Sequence, residues 1–135
     1  MERNEILLEI KNFLNSRDDV LLAFVFGSFI EDRQTEESDI DIAILFKQRP
    51  DFSTLTEIID TLSGIAKREA DIVVLNDSSP IIRMQVLKKG RLIKKINDSV
   101  YNDFFTRTIK EYDDLKRIRK EQEKNILRGR IYARS

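Results

Sequence analysis

Asp39 and Asp41 open a stretch that alternates strictly, with Ile40, Ile42, Ile44 and Phe46 on one parity and Asp39, Asp41, Ala43 and Leu45 on the other. Every second side chain of a strand points to the same face, so the two carboxylates point together, their backbone positions roughly 6.6 Å apart. Like charges about 6 Å apart at an effective dielectric near 20 repel by roughly 2–3 kcal/mol, and Asp is disfavoured in strands to begin with. A cation removes that cost, because flexible carboxylates at this spacing can converge on a metal pair about 3.5–4 Å apart. An isolated Asp-x-Asp is more simply a solvated strand face. Two other features favour chemistry: Gly27-Ser28, separated from Asp39 by ten residues, and a third aspartate, Asp71.

The composition narrows what that chemistry is. At 135 residues the chain is one domain, large enough for a core. Its 24 basic and 24 acidic residues cancel, which argues against a broad electrostatic grip on nucleic acid. There is no Cys and no His. Disulfides, Cys/His zinc sites, Cys or Ser-His nucleophile pairs and histidine bases are therefore excluded. Carboxylates, hydroxyls, Lys/Arg and hard metal ions remain, and oxygen ligands suit magnesium or manganese. The first 14 residues are too interrupted by charge for a signal peptide, and no apolar run reaches the roughly 20 residues of a membrane span. The expected location is cytoplasmic, without membrane contact.

The elements that must position these residues follow from the pattern. Residues 4–15 space Ile6, Leu7, Ile10, Phe13 and Leu14 as one helical face, and Val20–Phe26 reads as a buried strand ending at Gly27. After strand 39–46, a loop with Pro50 precedes a helix that Thr54 and Glu57 would open as a capping box. Residues 70–75 form a β-prone run with Asp71 near its start. Ser79-Pro80 then caps a helix that runs to Lys89 and stops at Gly90. Residues 91–96 are predicted to be an edge strand, its lysines discouraging pairing with other chains. From Asp98 the pattern is helical, with a broken stripe of Tyr101, Phe104, Phe105, Tyr112, Leu115 and Ile118, ending in a basic tail over 128–134. That last helix is either a solvated helix with a frayed end or a surface whose aromatics meet a partner subunit.

If the three strands are neighbours, one carboxylate cluster forms beside a glycine turn and a hydroxyl. That is equipment for nucleotidyl transfer: divalent ions on the carboxylates neutralise a triphosphate, and N–H groups near the turn hold departing phosphates. Gly-Ser, ten residues, Asp-x-Asp and a distal Asp-Ile-Val-Val-Leu-Asn segment resemble the nucleotidyltransferase superfamily of DNA polymerase β type. Within it, the short length resembles the minimal nucleotidyltransferases (MNT), commonly the antitoxin halves of HEPN/MNT toxin–antitoxin pairs. The resemblance covers about residues 5–95. It implies an α/β (α+β) nucleotidyltransferase fold, a mixed β-sheet with flanking helices and a long C-terminal helix. Residues 1–97 would be the minimal nucleotidyltransferase domain, with the helix and basic tail of 98–135 packed on it.

By position, the resemblance implies that Asp39 and Asp41 ligate two Mg2+ ions and that Asp71 completes the ion activating the acceptor hydroxyl. Gly27 and Ser28, helped by Ser38, would bind the triphosphate tail. ATP would be the donor, pyrophosphate would leave, and AMP would pass to a tyrosine of a partner HEPN toxin. Glu31-Asp32 depart from the family, which often carries a basic residue and a glycine shortly after Gly-Ser; Arg33 is the nearby compensating charge. Two other functions fit less well: a transferase-like module that neutralises its toxin by binding, and a small-molecule adenylyltransferase of the aminoglycoside type. The second usually needs a further substrate-binding domain.

Overall fold

Period-two patterning sorts the apolar residues of four strands onto two faces, and helices cover both. In the computed structural model, which describes residues 3–27 and 39–133, the strands are β1 (Val20–Phe26), β2 (Ile40–Phe46), β3 (Ala70–Val74) and β4 (Arg91–Lys95). They form one sheet in the order β3-β2-β1-β4. β1 runs antiparallel to β2 and β4, whereas β2 runs parallel to β3. The sheet is therefore mixed, as expected. The helices are α1 (Arg3–Asn15), α2 (Phe52–Ala66), α3 (Pro80–Lys89) and α4 (Asp98–Ala133). A parallel pair needs a crossover connection, which α2 supplies between β2 and β3. Among the described residues no helix is long and apolar enough to cross a membrane.

The alternation in β2 becomes two cores. Ile40, Ile42, Ile44 and Phe46 pack with Ile6, Ile10 and Leu14 of α1 and Ile58 and Leu62 of α2. On the opposite face Ala43 joins Leu22, Phe24, Leu75, Val86 and Phe104, beneath α3 and α4. β1 reads as an unbroken apolar run because both its faces are buried, and a register irregularity lies between Val20 and Leu22. Val20 belongs to the first core and Leu22 to the second. A bulge that inserts one residue switches the face of everything after it.

Three local expectations are corrected. Thr54 does not open α2; Asp51 is its N-cap, and its side chain accepts the Thr54 N–H at 2.7 Å. The carboxylate sits three residues before that N–H, where a cap reaches it, and the contact holds the Asp51 carboxyl below its usual range. β3 stops at Val74, one residue short, and Leu75–Asp77 turn as a 3-10 helix. There Asn76 replaces a strand residue: its Oδ1 accepts the Phe46 N–H and its Nδ2 donates to Phe46 O, both at 2.9 Å.

The third correction concerns β4. It is an edge strand, but Lys94 is buried and does not guard the edge. Its Nζ donates to Leu14 O at 2.8 Å and Arg17 O at 2.7 Å. These carbonyls lie at and just beyond the C-terminal end of α1, where cations are favoured; each also accepts a backbone N–H, Leu14 O from Arg17 and Arg17 O from Val20. Burial pulls the Lys94 ammonium pKa down, opposed by Asp18 and Asp19.

Gly90 ends α3 as predicted, though with extended rather than left-handed geometry (φ −79°). α4 is 36 residues long. It buries Phe104 and Thr108, leaves Phe105 41% and Ile118 50% exposed, and from residue 116 to 129 has every side chain exposed.

Replacing Lys94 with Met keeps the stem and removes the two charge-assisted hydrogen bonds. Because two carbonyls lose a charge-assisted donor while keeping a backbone one, Lys94→Met is expected to destabilise the fold by about 2 kcal/mol. Urea denaturation measures this; a midpoint equal to wild type would refute the capping role.

Candidate active site

The face of the sheet beneath α3 and α4 is apolar at one end and acidic at the other. Along β2, Asp41, Ala43 and Leu45 share it; Ala43 is buried, Asp41 is half-buried and Asp39, just before the strand, is exposed. On β3, Asp71 is the Cα partner of Asp41, and Val73 is the partner of Ala43. Neighbouring strands lie about 4.8 Å apart, and residues in register share a face, so Asp71 and Asp41 stand side by side. Asp39 lies two residues along from Asp41 on the same parity.

That juxtaposition depends on register. The Ile40 N–H donates to Glu69 O at 2.9 Å, and the Ala70 N–H donates to Ser63 Oγ on α2 at 3.0 Å. Both bonds lie at the entry to β2 and β3, directly before the aspartates. A slip of one residue would send Asp71 to the opposite face and bury it against α2.

The crowding has an electrostatic signature. Partial burial, then the charge of Asp71, then that of Asp39, pushes the Asp41 pKa above its ordinary 3.8. Among the described residues, no three acidic side chains already stand as a ligand set around one point. The donor chemistry nevertheless fits a hard divalent cation: three carboxylates, no nitrogen or sulfur donor, and a half-buried anion facing like charges. Asp39, Asp41 and Asp71 are the residues that would hold it.

Gly27 follows β1 and has φ +80°, a left-handed conformation that favours glycine. Its neighbour Phe26 is the Cα partner of Asp41 on the side away from Asp71. Gly27 is thus brought to the carboxylates, whereas Ser28, Ser38 and the Glu31-Asp32-Arg33 segment lie outside the described residues. A cleft of about 490 Å³, not anticipated from sequence, opens at the other end of this face among Leu45, Asn76, Arg83 and the first turns of α4. Its Arg83 donates to Leu75 O at 3.1 and 2.8 Å and lies over the Phe104 ring, 5.7 Å from its centroid. That arginine is engaged in holding α3 and α4 to the turn after β3. No spacing rule would have pointed to it.

The raised Asp41 pKa carries a sign. A group whose folded pKa exceeds its unfolded one stabilises the fold fully below the unfolded value, and that stability is lost as pH rises through the folded value. Metal-free protein at neutral pH therefore carries a penalty at Asp41 that an amide does not. In chelator, Asp41→Asn is expected to melt at a higher temperature than wild type at pH 7, the difference shrinking towards pH 3.5. Calorimetry across that range tests it; a variant less stable at pH 7 would contradict the repulsion.

The family model described as Polymerase beta, Nucleotidyltransferase matches residues 8–99. A candidate protein adenylyltransferase of Methanocaldococcus jannaschii is 36% identical over 73 residues, covering 54% of this chain and 74% of that protein. The protein adenylyltransferase MntA of Shewanella oneidensis is 31% identical over 70 residues, covering 52% of this chain and 50% of MntA. Among solved structures, a toxin–antitoxin complex with AMP-PNP contains a chain of similar fold at TM-score 0.73 and 24% identity, covering 94% of this chain and 99% of that one. A chain from the complex of tri-AMPylated Shewanella oneidensis HEPN toxin with MNT antitoxin also reaches 0.73, at 22% identity over 93% of this chain and 99% of the other. The match over residues 8–99 spans every strand and the acidic end of the sheet, and the chain belongs to the polymerase β nucleotidyltransferase family, as one of its enzymes.

Proposed function

We propose that this nucleotidyltransferase moves AMP from ATP onto a hydroxyl, that of a tyrosine, on a partner HEPN toxin, and so acts as the antitoxin. The observation that carries the reading is the register of Asp41 with Asp71 on adjacent parallel strands, with Asp39 on the same parity. The names of the relatives support the protein acceptor, and the neighbour solved with AMP-PNP supports ATP as donor. The partner is supported by the neighbour solved in complex with a modified HEPN toxin.

In this reading Asp39 and Asp41 would hold two Mg2+ ions, with Asp71 as a further ligand. Magnesium bound there would supply neutralisation of the triphosphate and a lower pKa for the attacking hydroxyl. The acceptor hydroxyl gives up its proton to water, its oxygen attacks the α-phosphorus, the bond from that phosphorus to the bridging oxygen breaks, and pyrophosphate leaves with that electron pair. Gly27, Ser28 and Ser38 hold the triphosphate tail. Asp39 and Asp71 are exposed and Asp41 is half-buried, and in this reading a partner protein presents its hydroxyl to them. The protein acts in the cytoplasm.

Intact-mass spectrometry of the HEPN protein after incubation with ATP, magnesium and this chain tests the reading. Addition of AMP to the toxin, once or more, is expected, with none in EDTA and recovery when magnesium is restored in excess. Asp41→Asn is expected to lower the rate by about 10³-fold or more, in the range seen when a group facing developing charge is removed. Transfer by Asp41→Asn as fast as wild type, or unchanged in EDTA, would sink the mechanism. Modification that persists when the toxin's candidate tyrosine is changed to Phe would sink the acceptor assignment.

A further inference from the structure

β2 lies between β3 and β1, so Asp41 has a neighbour on each side. On β3 it is Asp71, on β1 Phe26, and Gly27 follows Phe26 directly. A Cβ built on Gly27 would fall under 3.0 Å from Asp41 Oδ2, nearer than real Cβ contacts come, and 3.3 Å from Cγ and 3.6 Å from Cβ of Asp41. All three nearest atoms belong to that one side chain. The volume a side chain at position 27 would occupy is the volume the Asp41 carboxylate fills.

We propose that Gly27 is a positioning residue whose missing side chain seats the Asp41 carboxylate, beyond its assignment to the phosphate tail. The inference rests on the metal-binding role given to Asp41 above. A methyl group at 27 pushes the carboxylate away from β1 and towards Asp71, across the gap where the two must share a cation. The displaced atom is the free end of a rotatable side chain, so the fold accommodates the move at little cost. A ligand oxygen, in contrast, must stand within about 0.5 Å of its working position. The damage falls on the site and spares the sheet. The backbone angle, φ +80°, strains any side chain here, Asn less than most because it tolerates left-handed angles. The contact with Asp41 is a second, separate cost, and it falls on the site.

Gly27→Ala and Gly27→Asn, each made with Asp41 present and with Asp41→Asn, separate these effects. With Mn2+ alone as the probe, followed by electron paramagnetic resonance, each Gly27 variant is expected to bind at least about tenfold more weakly than wild type. In the Asp41→Asn background the same changes are expected to alter affinity by less than about twofold, since nothing remains to be seated. A crystal structure of metal-free Gly27→Asn is expected to show the Asp41 carboxylate rotated off its wild-type position. Mn2+ affinity within twofold of wild type, an equal loss with and without the Asp41 carboxylate, or a carboxylate that has not moved would each overturn the proposal. So would loss of the circular dichroism spectrum in both variants, which would make Gly27 a folding residue. If wild type and Asp41→Asn bind Mn2+ equally, the metal-binding role of Asp41 fails, and the crystal structure still decides whether Gly27 seats the carboxylate.

Discussion

Repulsion between carboxylates on adjacent strands is the constraint around which this small domain is arranged. A sheet normally separates like charges or places them at opposite faces. Here a parallel register aligns Asp41 with Asp71 and keeps Asp39 on the same parity, with Asp41 half-buried. The register is fixed from both ends. Backbone hydrogen bonds tie the strand entries to Glu69 and Ser63, and the Asn76 amide grips Phe46 at the exit. The opposite face, packed against α1 and α2, contributes the apolar burial that holds this arrangement against its own charge. Natural active sites commonly keep such local conflicts, offset by stability elsewhere.

The two faces of the sheet do different work. One is closed along its length by two amphipathic helices and carries no polar group from β2. On the other, Leu22, Phe24 and Ala43 meet Val86 and Phe104, and Asp41 and Asp39 follow towards the start of β2, half-buried and exposed. The chain belongs to a family of nucleotidyltransferases. One face supplies rigidity, and the other carries the three aspartates proposed as ligands.

Much of this was legible in the sequence because strands obey a short period. The alternation from Asp39 to Phe46 placed the aspartates on one face and the isoleucines on the other, and the Ser79-Pro80 cap and the stop at Gly90 mark α3 by purely local chemistry. Features that depend on pairing were not legible. The irregularity in β1 hides in an apolar run because both its faces are buried. Asn76 stands in for a strand residue only because Phe46 lies beside it. Lys94 resembles an edge lysine until the end of α1 is brought to it. Asp51 was the exception, a local cap passed over because Thr54 and Glu57 offered a more familiar pattern. The neighbourhood of Gly27 and Asp41 lies between these cases: both residues were singled out, but their contact follows from antiparallel pairing that no spacing rule encodes.

α4 extends about 54 Å at 1.5 Å per residue, and beyond Leu115 none of its described side chains is covered. That stretch is held by its own backbone ladder and by surface pairs, which stabilise a helix only marginally in water. The molecule therefore carries two separate stabilities. The exposed stretch after Leu115 can unwind without loosening a single strand, so amide exchange should fade along it while the sheet stays sealed. Heat and denaturant would dissolve this arm first, leaving the acidic end of the sheet intact.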